Sequence, residues 1–329
     1  MDTWTATITN TELIDVEAAK QWRNLPDSDI AAGEYKAGFK LVRYAAGSEQ
    51  PEAGFEKYGV VDGLVDENNE FTAWTATWTG LEKYDEEGNL YSYVVTEATI
   101  DYKGQQQTVL VNGQDPNGKW LVTCEHSGYE WQFVNNWNET TMKALKLWEQ
   151  NEQKIDWPEE EVSSITVELT RKKVDNDVTP IDAAFGANGK YTLTVTPNRI
   201  DASPALPEGV EARIEKKVVD GRYGYDIVID GLEYGWLDSE GNFNEYTYFL
   251  KETDGGSFNA AYMNADGEDS HGEQARDGYT IRNHRFSVSL PATGGAGTGV
   301  VYAVGAGLML LAVLGFIWRS RKRTDGDGI

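Results

Sequence analysis

The sequence predicts an all-β chain that ends in one membrane-spanning helix. Three observations carry this. Threonine, valine, tyrosine and tryptophan alternate with polar residues over most of the length. Turn signals such as "DEEGN" (85–89), "DPNGK" (115–119) and "DSEGN" (238–242) punctuate the alternation. Residues 299–318, "GVVYAVGAGLMLLAVLGFIW", carry no charge and match the roughly 20 residues one bilayer crossing needs.

A length of 329 residues suggests about two domains ahead of that helix. Hydrophobic residues make up 40% and aromatics 12%, enough for real cores. A net charge of −25 excludes nucleic acid as a partner, because phosphate binding needs clustered Lys and Arg. The single cysteine, Cys124, rules out an internal disulfide, and a small buried or half-buried side chain is expected there. His126, His271 and His284 show no metal-ligand spacing, so neither metal nor cofactor is expected.

Internal similarity orders the elements. "AKQW" (19–22) is echoed by "LKLW" (145–148). "GLEKYDEEGNLYSYVVTEA" (80–98) is echoed by "GLEYGWLDSEGNFNEYTYFLKET" (231–253), with four extra residues between glycine and glutamate. "QFVNNW" (132–137) is echoed by "YTIRNH" (279–284). The order is the same each time, so two domains are expected, 12–138 and 139–286. "TATITNT" (5–11) repeats the last element, which makes residues 1–11 the expected final strand of an upstream domain. "MDTWTATITN" has no basic or apolar leader region, consistent with a missing upstream part and export signal. Residues 287–298 form a linker and 319–329 a basic tail. "ETTMKALKLWEQNEQ" (139–153) reads equally as helix or strand.

Side chains alternate faces along a strand. Val16, Ala18, Lys20 and Trp22 then share one face, as do Ala144, Lys146 and Trp148. Tyr91, Tyr93, Val95 and Glu97 share a face, as do Tyr246, Tyr248, Leu250 and Glu252. Trp131, Phe133, Asn135 and Trp137 share a face, as do Tyr279, Ile281 and Asn283; Asn10 follows suit with Trp4, Ala6 and Ile8. Each set puts a polar residue among core-directed ones, which is costly without partners. A lone lysine would read as a salt-bridge partner or an exposed edge residue. Three residue types in phase, twice, point to chemistry. Desolvation lowers a lysine pKa and raises a glutamate pKa, so both can be neutral. A neutral amine is a nucleophile, and a protonated carboxyl can polarise an amide and shuttle protons. The expected product is a Lys–Asn isopeptide bond with loss of ammonia.

These elements resemble the Cna B-type domains of Gram-positive adhesins and pilins, which are prealbumin-like β-sandwiches. "KQW" and "KLW" look like that family's first-strand lysine, "YVVTEA" and "YFLKET" like its glutamate box, and "FVN", "IRN" and "ITN" like its last-strand asparagine. The resemblance implies crosslinks Lys20–Asn135 and Lys146–Asn283, promoted by Glu97 and Glu252. A second resemblance lies at the end of the chain. Leu290, Pro291, Ala292, Thr293 and Gly294 match the LPxTG sorting signal, ahead of the apolar span and a basic cluster of Arg319, Arg321, Lys322 and Arg323. That cluster would stay cytoplasmic. The resemblance implies that a sortase cleaves after Thr293 and joins it to peptidoglycan or to a neighbouring pilin.

The expected function is structural rather than enzymatic: a cell-wall-anchored stalk of adhesin type, extracellular, held briefly by its membrane helix. Its partners would be sortase, then peptidoglycan, with any host or matrix ligand bound by the upstream region. The alternatives are a sortase-polymerised pilin subunit, or the stalk of a surface enzyme with an upstream catalytic domain. "NADGEDSHGE" (264–273) is acidic but lacks calcium-loop spacing and reads as a mobile loop. "NET" (138–140) is a glycosylation triplet without expected meaning.

Overall fold

The computed structural model describes residues 12–25, 34–62, 74–104, 107–174, 179–270, 272 and 274–286. The expected upstream strand with Asn10, the LPATG motif, the 299–318 span and the basic tail lie outside these residues. Among the described residues every helix or strand element is a strand, and no helix is long and apolar enough to cross a membrane.

The first eight strands are β1 (Leu13–Arg23), β2 (Tyr35–Tyr44), β3 (Glu56–Asp62), β4 (Trp74–Glu82), β5 (Ser92–Tyr102), β6 (Thr108–Val109), β7 (Trp120–Ser127) and β8 (Glu130–Trp137). They form two sheets, in the orders β4-β1-β8-β7 and β3-β2-β5-β6. One core lies between them, built on Val16, Tyr35, Phe39, Val95 and Phe133. The next twelve are β9 (Thr140–Gln150), β10 (Gln153–Ile155), β11 (Ile165–Lys172), β12 (Lys190–Val195), β13 (Ile200–Ser203), β14 (Glu211–Val219), β15 (Arg222–Leu232), β16 (Gly235–Leu237), β17 (Phe243–Glu245), β18 (Thr247–Asp254), β19 (Asn259–Met263) and β20 (Thr280–Arg285). Their sheets run β14-β15-β9-β20-β19, with β10 added to β9, and β13-β12-β11-β18. They enclose a second, separate core on Trp148, Val167, Leu169, Ile227 and Leu250. In each sandwich the first strand pairs in parallel with the last, β1 with β8 and β9 with β20.

The helix-or-strand ambiguity at 139–153 resolves as β9. Met142, Ala144, Lys146 and Trp148 are buried with a period of two. That period fits a strand covered on one face, and a helix would scatter the same residues around its surface.

Each sandwich is also clasped by an arginine that the sequence reading did not single out. Arg43 on β2 donates to Glu52 at 2.7 Å and to Glu82 of the facing sheet at 3.0 Å, and its guanidinium lies over Phe55 and Tyr91. Arg171 on β11 repeats this with Asp182 at 2.8 Å, Glu233 at 2.5 Å, Phe185 and Tyr246. A planar guanidinium can bridge two carboxylates and stack on rings at once, which lysine cannot.

Both sandwiches lie in one compact unit that ends at Arg285. Only Asn138 and Glu139 separate β8 from β9. The Asn138 side chain donates to the Gly118 carbonyl at 3.0 Å and accepts from the Gly235 amide at 2.9 Å, so it bridges the two sandwiches. Gly235 belongs to the β16–β17 hairpin. The first sandwich closes the matching loop with a single Tyr84–Leu90 bridge, and the four extra residues of the second repeat lengthen it into this hairpin. The turn itself is the same in both: Asp85 and Asp238 each accept from the backbone two and four residues on. With its amide engaged at both ends and only 8% exposed, Asn138 is closed to a glycan as folded.

The acidic segment at 264–273 opens as a similar turn, in which Asn264 accepts from the amides of Asp266 and Glu268.

Candidate functional site: two buried lysine, glutamate and asparagine clusters

In the parallel pair β1–β8, Lys20 lies opposite Phe133 and Trp22 opposite Asn135. Lys20 and Asn135 are thus offset by two residues and point to the same face. In β9–β20, Lys146 lies opposite Ile281 and Trp148 opposite Asn283, the same offset. The glutamates come from the facing sheet: Glu97 on β5 and Glu252 on β18. A bulge follows each. The pairing steps from Phe39–Glu97 to Gly38–Thr99, and from Val167–Glu252 to Thr166–Asp254, so Ala98 and Thr253 are the extra residues. Bulges re-aim side chains at sites of this kind.

The six residues converge as two trios. Lys20 Nζ donates to Glu97 Oε2 at 3.0 Å, and Asn135 Nδ2 donates to Glu97 Oε1 at 2.9 Å. Lys146 Nζ stands 3.0 Å from Glu252 Oε2, and Asn283 Nδ2 donates to Glu252 Oε1 at 2.6 Å. The Lys146 contact is close enough for an ion pair but is not aligned as a hydrogen bond. All six are buried: Lys20 is 1% exposed, Glu252 8%, and Lys146, Glu97, Asn135 and Asn283 not at all. Each lysine Nζ lies over the tryptophan two residues along its strand, 4.6 Å from the Trp22 ring and 4.7 Å from that of Trp148. In the second sandwich Tyr262 of β19 adds a contact, its hydroxyl accepting the Glu252 amide at 2.9 Å.

Burial decides the protonation balance. Desolvation brings Lys20 down from its ordinary 10.5 to about 8, against the opposing pull of Glu97. Desolvation likewise brings Lys146 down to about 8 against Glu252. Glu97 is pushed up by desolvation, against the attraction of Lys20 and the Asn135 hydrogen bond. Moving one proton from lysine to glutamate leaves a neutral amine and a neutral acid. Asn135 Oδ1 and Asn283 Oδ1 are buried without a hydrogen-bond partner. A protonated glutamate could donate to that oxygen or hand its proton to the amide nitrogen beside it. The arrangement therefore holds a nucleophile, an acid–base group and an electrophilic amide at one dry point.

Cys124 departs from the expectation of a buried or half-buried side chain. It is exposed on β7, opposite Phe133. Trp120 and Val122 are buried, but β7 is the edge strand of its sheet and is exposed from Cys124 to Ser127, although Phe133 beside Cys124 belongs to the core. Tyr262 takes the matching position in the second sandwich, opposite Ile281. Asn10 and Leu290, Pro291, Ala292, Thr293 and Gly294 lie outside the described residues.

Residues 56–119 match the family model of the Cna protein B-type domain. The match covers β3 to β6 and contains Glu97; Lys20, Asn135 and the second sandwich fall outside it. The chain is similar to a single B repeat unit of the collagen-binding surface protein of Staphylococcus aureus, at 16% identity over 83% of this chain and 100% of that one, with a TM-score of 0.20. It is similar to the major pilin of Streptococcus pyogenes at 12% identity, over 85% and 100% of the two chains, with a TM-score of 0.24. The pilus adhesin SpaC of Lactobacillus rhamnosus GG is matched at 10% identity over 84% of this chain and 44% of that one, with a TM-score of 0.29. No curated protein sequence matches the chain.

Proposed function

We propose that the chain is the stalk of a Gram-positive cell-surface protein, made of two Cna B-type sandwiches (12–138 and 139–286) and fixed to the cell wall through Thr293. In each sandwich an isopeptide bond ties the first strand to the last, Lys20 to Asn135 and Lys146 to Asn283. The observation that carries this reading is the repeated trio: the same residue types, buried within reach of one another, on corresponding strands of both sandwiches. A buried ion pair alone returns little stability for its desolvation cost. A strongly desolvated lysine beside a carboxyl and an amide has a better account as a reactant.

The reaction balances without cofactor or oxidant. The neutral lysine nitrogen attacks Cγ of the asparagine, and a Cγ–Nζ bond forms. Glutamate takes a proton from the attacking nitrogen and delivers one to Nδ2. The Cγ–Nδ2 bond breaks and ammonia leaves. The bond lies between neighbouring parallel strands at the two ends of the sandwich. A pull applied at those ends would pass through it and bypass the interior, which suits a stalk.

Anchoring rests on the LPATG motif with its apolar span and basic tail. The test is a tryptic C-terminal peptide from wall-digested material. It should end at Thr293 carrying a peptidoglycan fragment, and Leu290→Ala with Pro291→Ala should remove the protein from the wall fraction. Mature surface protein that still holds residues 299–318 would contradict the reading. The glycine-rich continuation "LPATGGAGT" favours a second reading, a pilin subunit. Under it, Thr293 would be joined to a lysine of another copy.

A further inference from the structure

The two clusters are enclosed differently, and the difference singles out a glycine. In the first sandwich β5 runs on past Glu97 to Tyr102. In the second, β18 stops at Asp254 and the chain turns at once through Gly255 and Gly256 into β19. The turn is fixed by the Gly256 amide on Asp254 Oδ1 at 2.9 Å and by Phe258, whose ring stands edge-on to Trp148 at 4.9 Å. Gly256 has φ of +66°, which explains its lack of a side chain. Gly255 does not: its φ lies outside the left-handed region, so its backbone would accept any residue. What it lacks is room. A Cβ there would overlap Glu252 Oε1 and stand 2.8 Å from Asn283 Nδ2.

We propose that Gly255 is a positioning residue for the second crosslink, keeping open the space in which the Glu252 carboxyl meets the Asn283 amide. This rests on the isopeptide reading of the cluster. The two atoms nearest such a methyl group are side-chain ends, Glu252 Oε1 and Asn283 Nδ2, with the Phe258 carbonyl next at 3.3 Å, so an alanine can be housed by turning the Glu252 carboxyl and the Asn283 amide apart. The sandwich then folds, but the carboxyl leaves the amide whose nitrogen it must protonate. A misplacement of about 1 Å at a reacting group costs on the order of a hundredfold in rate. The first cluster is the internal control, since Gly255 belongs only to the second.

The test follows ammonia loss in the full chain after a short pulse of synthesis, with protease mapping of the two crosslinked peptides. Wild type, Gly255→Ala, Glu252→Ala and the double variant are compared, and their melting temperatures measured. Gly255→Ala should form the Lys20–Asn135 bond at the wild-type rate and the Lys146–Asn283 bond about a hundredfold more slowly. Glu252→Ala removes the nearest overlapped atom and releases the Asn283 amide that it held, so the amide can shift and adding Gly255→Ala should not lower the melting temperature further. A Gly255→Ala chain that closes its second bond at the wild-type rate overturns the proposal. A double variant melting clearly below Glu252→Ala also overturns it, by giving the glycine a purely structural role. A wild-type chain that never loses ammonia between Lys146 and Asn283 overturns the isopeptide reading itself, an outcome distinct from either of these.

Discussion

The two clusters share three residue types and their strand geometry, and differ in the wall that closes around them. In the first, Lys20 meets Glu97 in a true hydrogen bond, Glu97 sits mid-strand, and the neighbouring edge position holds an exposed cysteine. In the second, Lys146 meets Glu252 at the same 3.0 Å but off the hydrogen-bond direction. A turn closes over Glu252, and a buried tyrosine holds its amide. What stays constant is the two-residue offset between lysine and asparagine, the facing glutamate and its bulge, and the tryptophan over the lysine. Those features are set by strand register and pleat, and the proposed reaction would depend on them. The surrounding wall is free to vary.

The largest expected effect breaks one cluster and leaves the other. Each proposed bond would close a loop of more than a hundred residues. By analogy with a disulfide of that span it would stabilise its sandwich by about 4–5 kcal/mol. Glu97→Ala should lower the melting temperature of the first sandwich, and Glu252→Ala that of the second, each seen as one displaced calorimetric transition. A Glu97→Ala protein that melts and resists protease like wild type would separate the bond from stability.

A pH series sharpens the same comparison. In Asn135→Ala or Asn283→Ala the lysine stays free and buried. Its folded pKa of about 8 lies below its unfolded 10.5. The unfolded state then binds more protons between these values, so stability rises with pH across that window and is lost as pH falls from about 10.5 to 8. The size is about 3 kcal/mol per lysine. A wild type crosslinked as proposed would have no such titration from these lysines and should lack this rise. Urea titrations from pH 8 to 10.5 check it, and equal slopes would mean that the lysines are free in both.

Smaller effects test what differs. Asn138→Ala leaves the Gly235 amide without its partner, a loss of about 1–3 kcal/mol. It should broaden the distance distribution between spin labels placed on the two sandwiches. Tyr262→Phe removes the acceptor for the Glu252 amide and should cost the second sandwich about 1 kcal/mol, with no counterpart in the first. Cys124→Ser should change stability by less than about 0.5 kcal/mol, as expected for a surface site. Burial raises the Cys124 thiol to about 11, so in the native protein it should react slowly with a thiol reagent at neutral pH and faster as pH rises.

The clusters were legible because burying polar residues breaks a strong rule, and a break repeated in the same order is visible in a single sequence. The period of two put Lys20, Glu97 and Asn135 on core-directed faces, and likewise Lys146, Glu252 and Asn283, and their recurrence in the same order joined them into two sets. The arginine clasps were not legible. Glu52 and Glu82 lie far apart in sequence and look like ordinary surface acids; only folding brings both to Arg43. Gly255 was hidden for a related reason. Next to Gly256 it resembles half of a turn signal, and its role appears only when the space around Glu252 is known. Cys124 is exposed because β7 is the edge strand of its sheet, and residue type alone does not say where a sheet edge opens.

The most direct measurement is the intact mass of the purified chain, read beside the six single alanine variants of Lys20, Glu97, Asn135, Lys146, Glu252 and Asn283. The wild-type mass should fall short of the calculated value by two ammonia. Each variant should fall short of its own calculated value by one. A wild-type protein at its full calculated mass would contradict the account at its centre.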